Sequence, residues 1–193
     1  MSAAKIKILT DNILTSIQII DPITYTGWDT LLLTNENTTF FHTAGWCRVL
    51  AESYGYKPLY FTQIDNGTLT GLIAVMEVNS FLTGKRGVSL PFTDQCEPIA
   101  RDQGSFKLLF DEVVGYGTTS GWKSLEIRGG KRYFSVRIPS DSFNTHILDI
   151  AHSETSTLSS FRDSTRRNIH KAQKTELVVT PSQTMDEIGR AHV

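Results

Sequence analysis

Residues 59–78, LYFTQIDNGTLTGLIAVMEV, contain two apolar and partly alternating runs on either side of an Asp-Asn-Gly triplet. An Asn-Gly pair tolerates the positive φ angles of a two-residue turn, and between two apolar runs it favours a tight hairpin. We therefore predict strands over Leu59–Ile64 and Leu69–Val78, joined by a turn at residues 65–67.

Outward from this hairpin, further strands alternate with helical patterns. The helix at Thr43–Tyr54 has an N-cap signal at Thr43 and a terminating signal at Gly55. Its apolar face is predicted to contain Trp46, Val49, Leu50 and Tyr54. The other predicted elements are an edge strand at Ile17–Ile20, a strand at Lys85–Leu90 halted by Pro91, a loop at Thr93–Asp102, a helix at Gly104–Ser120, strands at Ser124–Ile127 and His146–Ile150, and a helix at Leu158–Lys174. Strands interleaved with helices indicate an α/β or α+β layer architecture.

The composition is that of a globular protein rather than a nucleic-acid coat protein. The chain has 193 residues, of which 39% are hydrophobic and 20% charged, and its formal net charge is −1. Binding to an anionic partner must therefore come from a local cluster of charge. Cys47 and Cys96 lie far apart, without Cys or His at metal-ligand spacing, which argues against a disulfide framework or a metal site. Because the amino terminus lacks a signal-peptide core and no apolar run reaches membrane-span length, we expect a soluble, cytoplasmic protein.

Three segments of the chain form a pattern when they are taken together. The first is FHTAGW (41–46), which opens a helix ending in YGY (54–56). The second is NGTLTGLIAV (66–75) followed by SFLTGKRGVSLPF (80–92), and the third is STRRNIHKAQK (164–174). In this order and at this separation they resemble the FemAB-type family of acyltransferases, over roughly residues 38–180.

The resemblance implies a GNAT-like fold, with a mixed, mostly antiparallel sheet flanked by helices, repeated in two tandem domains. We expect residues 1–153 to form the first GNAT-like domain. Residues 154–187 would then contain the basic linking helix and the start of a truncated second domain. The final residues 188–193 resemble the translation of a sequencing-adapter read-through, so we expect an artefactual tail on a chain that is a fragment.

The resemblance also implies an activity, the transfer of an N-acyl or aminoacyl group to an amine of a cell-envelope precursor. As a fragment, the chain is expected to be inactive alone, with its catalytic residues unknown. The acyl donor would be aminoacyl-tRNA or acyl-CoA, with no cofactor held by this part of the protein. The alternative is a non-catalytic binding domain for an anionic cell-envelope precursor or tRNA. Acyl transfer from an activated ester requires no covalent nucleophile, so the lack of a Ser-His-Asp or Cys-His arrangement is compatible with it.

The third segment lies in a strongly basic stretch with Asp163 as its only acid. Its basic residues are Arg162, Arg166, Arg167, His170, Lys171 and Lys174. Helical spacing places them on neighbouring strips of one helix. The residues expected to face the core are Leu158, Phe161, Ile169 and Ala172. From spacing alone the basic strips are most simply a solvated face. With the resemblance, the candidate contacts for an anionic substrate are Arg166, Arg167, Asn168 and Lys171.

The loop after the SLPF segment contributes further candidates. In family members this region lines the substrate cleft, so Phe92 and Asp94 are candidate substrate contacts. Asp94 or Glu97 could orient an acceptor amine or act as a base. A hydrated loop carboxylate is an equally good interpretation of either acid.

The segment RGGKR (128–132) has the backbone freedom of a phosphate-binding loop. It lacks the P-loop pattern. Neither it nor any other part of the chain contains the Q/R-x-x-G-x-G/A loop by which GNAT enzymes hold the coenzyme A pyrophosphate. We therefore expect no acetyl-CoA site in this part of the protein, and no metal.

Overall fold

A computed structural model of the chain describes residues 16–93, 95–134, 138–145, 147–150 and 153–175. The chain divides into two compact units, residues 1–142 and 143–193. The predicted tail at 188–193 and the rest of 176–193 lie outside the described residues. The tandem organisation of two GNAT-like domains, with a boundary after residue 153, remains a prediction.

The first unit contains a five-stranded sheet with strand order β1-β2-β3-β4-β5. The strands are β1 Ile17–Ile20, β2 Lys57–Asp65, β3 Thr68–Ser80, β4 Gly84–Val88 and β5 Leu125–Glu126. Neighbouring strands are antiparallel except for β4 and β5, which are parallel. A parallel pair needs a long crossover connection, and here the chain from β4 to β5 passes through a helix.

The hairpin predicted from residues 59–78 is confirmed. Asp65 pairs with Thr68 at its end, and the turn residues Asn66 and Gly67 have φ angles of 48° and 76°. Positive φ at both central positions matches the right-handed twist of the strands that the turn connects. The predicted edge strand at Ile17–Ile20 is likewise present, at one side of the sheet.

The described residues of this unit form the helices α1 Trp28–Leu32, α2 Ala44–Tyr54 and α3 Gln103–Thr119, with a short 3-10 turn at Phe40–His42. Both predicted ends of α2 are confirmed, because Thr43 caps its start and Gly55, with a φ of 68°, ends it. The predicted apolar face is partly wrong, since Val49 and Tyr54 are 47% and 52% exposed. Cys47 and Leu50 are the buried residues of this helix. Val49 lies about 200° around the helix from Cys47.

Both faces of the sheet are buried, because alternate side chains of β2 and β3 enter two separate apolar clusters. One cluster includes Trp28, Leu50, Tyr60, Leu72 and Met76. The other includes Phe61, Ile73, Val75, Phe106 and Leu109. Helices α1 and α2 cover the first cluster and α3 covers the second. The predicted fold class is confirmed: a mixed α+β domain with a mostly antiparallel sheet flanked by helices.

The predicted loop at Thr93–Asp102 is more ordered than expected. Ile99 exchanges two backbone hydrogen bonds with Leu72 of β3, at 2.8 and 2.9 Å. The chain therefore returns alongside β3 before α3 begins, which brings the loop residues against the sheet.

The second unit contains α4 Glu154–Ser160 and α5 Asp163–Gln173. The single helix predicted at Leu158–Lys174 is wrong, because Phe161 and Arg162 have extended ψ angles of 152° and 151°. The hydroxyls of Ser159 and Ser160 donate to carbonyls three residues earlier. Such local side-chain bonds compete with helix propagation and contribute to the break.

Two further expectations for this unit are corrected. Residues 147–150 form no strand, although a strand was predicted at His146–Ile150; His146 itself lies outside the described residues. Ala172, expected to face the core, is exposed, whereas Leu158, Phe161 and Ile169 are half-buried. In the described part of the chain, no helix is long and apolar enough to cross a membrane.

Candidate functional site

The segment after β4 changes direction through two residues with left-handed backbone angles. Leu90 has a φ of 43° and Phe92 a φ of 63°. Such angles are unusual for bulky residues, and they occur where the surrounding structure enforces them. Here Leu90 is fully buried, and its carbonyl accepts a hydrogen bond from Thr93 Oγ1 at 2.7 Å. The Arg128 guanidinium in turn donates to the Thr93 carbonyl at 2.8 Å.

The anchored loop presents the ring of Phe92 at the surface, where it is 57% exposed. Its centroid lies 4.6 Å from that of Tyr54, and Tyr54 stacks on Tyr56 with centroids 5.4 Å apart. We call these three side chains the aromatic shelf. Tyr54 belongs to the helix that the first motif segment opens, and Phe92 ends the second motif segment. Exposed aromatic side chains of this kind can contact the ring of a sugar or stack on a nucleic-acid base.

The RGGKR segment forms a tight turn that already holds an anionic group. Gly129 and Gly130 have φ angles of 95° and 77°, and Gly130 N donates to Glu97 Oε2 at 2.7 Å. A Cβ added at Gly129 would lie 2.6 Å from Glu97 Oε1, so a glycine is needed for this approach. Gln95 Nε2 also donates to Glu97, at 3.0 Å. The oxygens of Glu97 therefore support the turn, and the role as a base considered from the sequence stays a prediction.

A surface cleft of about 710 Å³ adjoins this turn. Its lining residues are Asn37, Thr39, Phe41, Gln95, Glu97, Pro98, Lys131 and Arg132. The Arg132 guanidinium carbon lies 4.6 Å from the centre of the Tyr133 ring, while Lys131 makes no ion pair with any described residue. Two cations beside a single, already hydrogen-bonded carboxylate favour an anionic ligand. We call this site the Lys131 cleft.

The buried titratable groups of the unit are unsuited to catalysis near neutral pH. His42 is 1% exposed; its Nδ1 accepts from Thr39 N at 3.0 Å, and its Nε2 lies 3.6 Å from Cys96 Sγ. Burial lowers the pKa of His42 to about 4 and raises the pKa of the Cys47 and Cys96 thiols to about 12. The imidazole is therefore neutral and the thiols are protonated at pH 7. Among the described residues, no three His, Cys, Asp or Glu side chains are grouped as a metal site.

The candidate residues of the basic segment lie on α5, in the second unit. Arg166 is half-buried and forms an ion pair with Asp163. Arg167, Asn168 and Lys171 are exposed, and within the described ranges the two cations, Arg167 and Lys171, have no ion-pair partner. The helix places Arg167 and Lys171 one turn apart on the same strip. A groove of about 410 Å³ in this unit contains none of the four candidates in its lining.

Of the six candidates, Phe92 is placed in an exposed aromatic stack, and the four α5 residues are placed on a solvent-facing helix. Asp94 lies outside the described residues. The sequence did not indicate Tyr54, Tyr56, Lys131 or Arg132 as parts of shared surfaces. The available signals were the YGY triplet after the first helix and the cations that follow the glycine pair.

Neither a protein-family model nor a curated protein sequence matches this chain. Among solved structures, an aminoglycoside acetyltransferase from an uncultured soil metagenomic sample is similar, with a TM-score of 0.47 and 16% identity over 68% of this chain and 96% of that chain. A ribosomal-protein-alanine N-acetyltransferase from Brucella melitensis has a TM-score of 0.42 and 12% identity over 70% and 98%. A predicted acetyltransferase from Clostridium acetobutylicum with acetyl-CoA has a TM-score of 0.42 and 12% identity over 71% and 99%. Likenesses of this size assign no activity to the chain.

Proposed function

We propose that this chain is the acceptor-binding part of a FemAB-type acyltransferase, which transfers an N-acyl or aminoacyl group to an amine of an anionic cell-envelope precursor. The observation that supports this best is the stack of Phe92 on Tyr54, at 4.6 Å. It joins the first two motif segments, about 40 residues apart in sequence, at one exposed surface. A sugar or nucleotide ring would lie on the aromatic shelf.

Each unit by itself offers cations to an anionic group of the precursor. In the first unit, Lys131 and Arg132 line the Lys131 cleft. In the second unit, Arg167 and Lys171 are exposed on α5. Arginine can contact a phosphate or carboxylate through two parallel hydrogen bonds, whereas lysine acts as a point charge. Arg166, Asn168 and Asp94 remain candidate contacts in this proposal.

The proposed reaction requires little covalent chemistry from these residues. The neutral acceptor amine attacks the donor carbonyl, a C–N bond forms, and the resulting tetrahedral oxyanion collapses as the C–O or C–S bond to the donor breaks. The alcohol or thiol of the donor leaves, and the amine gives up its proton. Positioning of the two substrates and stabilisation of the oxyanion account for such catalysis. The residues that stabilise the oxyanion would belong to the predicted second domain.

The acyl donor is proposed to bind outside the first unit. The N-terminus of α3, which follows the β4 loop, is capped by Asp102, whose carboxylate accepts from Ser105 N at 2.7 Å. A carboxylate at this position opposes the binding of a coenzyme A pyrophosphate at the same helix end. The glycine turn of residues 129–130 is occupied by Glu97. Both donors considered, aminoacyl-tRNA and acyl-CoA, are cytoplasmic molecules, so we place the reaction in the cytoplasm.

The second candidate function is a binding domain without catalysis, specific for an anionic cell-envelope precursor or tRNA. The observation that favours it is the state of three buried groups among the described residues: the pKa of His42 is lowered to about 4 and the pKa of the Cys47 and Cys96 thiols is raised to about 12, so these three support the fold rather than proton transfer near pH 7. In this case the aromatic shelf and the exposed cations recognise the precursor, and other proteins modify it.

The test is calorimetric binding of a nucleotide-linked amino-sugar peptide to the 193-residue chain. Phe92→Gly accepts the φ of 63° and removes the ring, so we expect affinity to fall about tenfold or more, the effect of one lost stacking contact. Arg167→Gln with Lys171→Gln should weaken binding and reduce its salt dependence by about two charges.

The matched control is Arg101→Gln with Lys107→Gln, which also removes one arginine and one lysine from exposed positions. It should leave binding unchanged. Equal losses in both double variants would contradict a specific role for α5. Two proteins are compared: residues 1–193 and a longer protein that carries the predicted second domain. The enzyme is supported if the longer protein transfers a labelled acyl group from a donor, whereas residues 1–193 bind the precursor without transferring the label. Binding without transfer by either protein would support the second candidate.

A further inference from the structure

The turn between β3 and β4 exposes two large apolar side chains to solvent. Phe81 is 103% exposed and Leu82 87% exposed. Both residues lie between Ser80, the last residue of β3, and Gly84, the first residue of β4. Exposing two adjacent large apolar groups at the tip of a hairpin is unfavourable in water, and such groups commonly mark a contact surface.

Three cations surround this tip. Lys85 and Arg86 follow it directly on β4, and Arg86 Nη1 is held at the turn by Thr83 Oγ1 at 2.8 Å. Lys123 approaches from the segment before β5, because a Cβ added at Gly84 would lie 2.9 Å from Lys123 Nζ. Within the described residues, the only ion pair formed by these cations joins Lys85 to Glu77 at 3.7 Å.

Glu77 contributes no free negative charge to the tip. It is 8% exposed, and its Oε2 accepts from Trp122 Nε1 at 2.7 Å. Lys85 balances its charge, which leaves Arg86 and Lys123 without an acidic partner among the described residues. The tip is therefore an apolar pair with a net positive surround.

We propose that the β3–β4 tip, residues 81–86 with Lys123, docks this protein on an anionic lipid surface. Phe81 and Leu82 enter the boundary between head groups and acyl chains, and Lys85, Arg86 and Lys123 contact the anionic head groups. A partner protein is disfavoured because stable protein interfaces bury roughly 800 Å² on each side, and two residues at a protruding tip offer far less. A bilayer adapts its shape to such a tip. The proposal stands on this turn alone and does not require acyl transfer.

The test is co-sedimentation of the full 193-residue chain with phosphatidylcholine vesicles that contain about 30% phosphatidylglycerol. We expect binding to these vesicles, little binding to phosphatidylcholine alone, and a loss of binding when salt rises from about 0.1 to about 0.5 M. Phe81→Ser with Leu82→Ser should weaken binding by roughly tenfold or more. Arg86→Gln with Lys123→Gln should weaken it as well, and only for the anionic vesicles.

The control is Leu33→Ser, which removes a side chain that is 85% exposed. Leu33 adjoins Thr34, whose Oγ1 accepts from Leu69 N, near the start of β3. The tip follows the other end of β3, which at the rise of a β-strand lies about 36 Å from Leu69. This variant should bind vesicles as the original chain does.

Phe81→Trp provides a second readout, because its fluorescence should shift to the blue when anionic vesicles are added. Three outcomes would overturn the proposal: no binding to anionic vesicles, undiminished binding after the Phe81 and Leu82 substitutions, or lipid-free self-association that these substitutions abolish. The last outcome would identify the tip as a protein contact instead.

Discussion

The two units of this chain differ in how far their described apolar side chains are buried. In residues 1–142, both faces of one sheet are buried by helices, with Tyr60, Phe61 and Leu72 at 0% exposure. No described residue of 143–175 is buried, and Phe143 and Ile147 are 83% and 95% exposed. The first unit is stabilised by the burial of apolar side chains that lie far apart in the sequence. Among its described residues, the second has a helix cap and local side-chain hydrogen bonds, and such interactions stabilise short helices only marginally.

The largest expected difference between the units concerns truncation of a leucine. Leu72→Ala removes a fully buried side chain from β3, and we expect it to lower the free energy of unfolding by about 3–5 kcal/mol. Leu158→Ala, at a half-buried position of α4, should cost less than about 1 kcal/mol. Urea denaturation followed by circular dichroism measures both. Equal costs would show that the second unit has a core of its own.

The next effect is the pH dependence caused by His42. Burial lowers its pKa from 6.5 to about 4, so between these values the unfolded chain binds a proton that the folded chain does not. The contribution of His42 to the free energy of unfolding is fully present above pH 6.5 and is lost as the pH falls toward 4. From pH 6.5 to 5 we expect a loss of about 1.5 kcal/mol, measured as the free energy of unfolding at each pH.

His42→Gln should abolish this part of the pH dependence, whatever it does to stability at a single pH. The matched control is His170→Gln, because His170 is exposed on α5. That variant should retain the full slope between pH 6.5 and 5. If the slope survives in His42→Gln, another group causes it.

The smallest effect tests how closely α3 packs on the region before β5, and it uses two glycines of one helix. A Cβ at Gly117 would lie 2.5 Å from the Trp122 ring, whereas a Cβ at Gly115 would have no atom within 4 Å. We expect Gly117→Ala to cost about 1–2 kcal/mol through overpacking. Gly115→Ala should stabilise by about 0.5–1 kcal/mol through helix propensity. Thermal unfolding distinguishes them, and stabilisation by both would mean that Trp122 moves freely.

Local patterns predicted the elements that local interactions stabilise. The Asn66-Gly67 turn and the ends of α2 at Thr43 and Gly55 were predicted correctly, because each depends on residues within one turn of the chain. The single helix at Leu158–Lys174 was wrong for a local reason as well. Periodicity does not reveal that the hydroxyls of Ser159 and Ser160, next to the break, bond to carbonyls of the preceding turn.

The candidate site was predictable only in part. Phe92 was identified from the SLPF segment by resemblance, and α5 from its density of basic residues. The aromatic shelf and the link from Glu97 to Gly130, 33 residues apart, could not be inferred, since no local periodicity connects their members. Tyr54 was even assigned to the buried face of α2, although it is 52% exposed and its ring contacts Phe92.

Turn chemistry, capping and charge density act between near neighbours, so the hairpin, the helix ends and the basic character of α5 could be read from the order of residues. Which side chains share a surface depends on how distant segments pack in three dimensions. The tertiary structure holds Leu90 and Phe92 at positive φ, fills the glycine turn with Glu97, and leaves Phe81 and Leu82 in solvent beside three cations. These outcomes depend on how β3 packs against segments that are distant in sequence. The free energy of burial is summed over such contacts, and the order of residues along the chain does not show which contacts form.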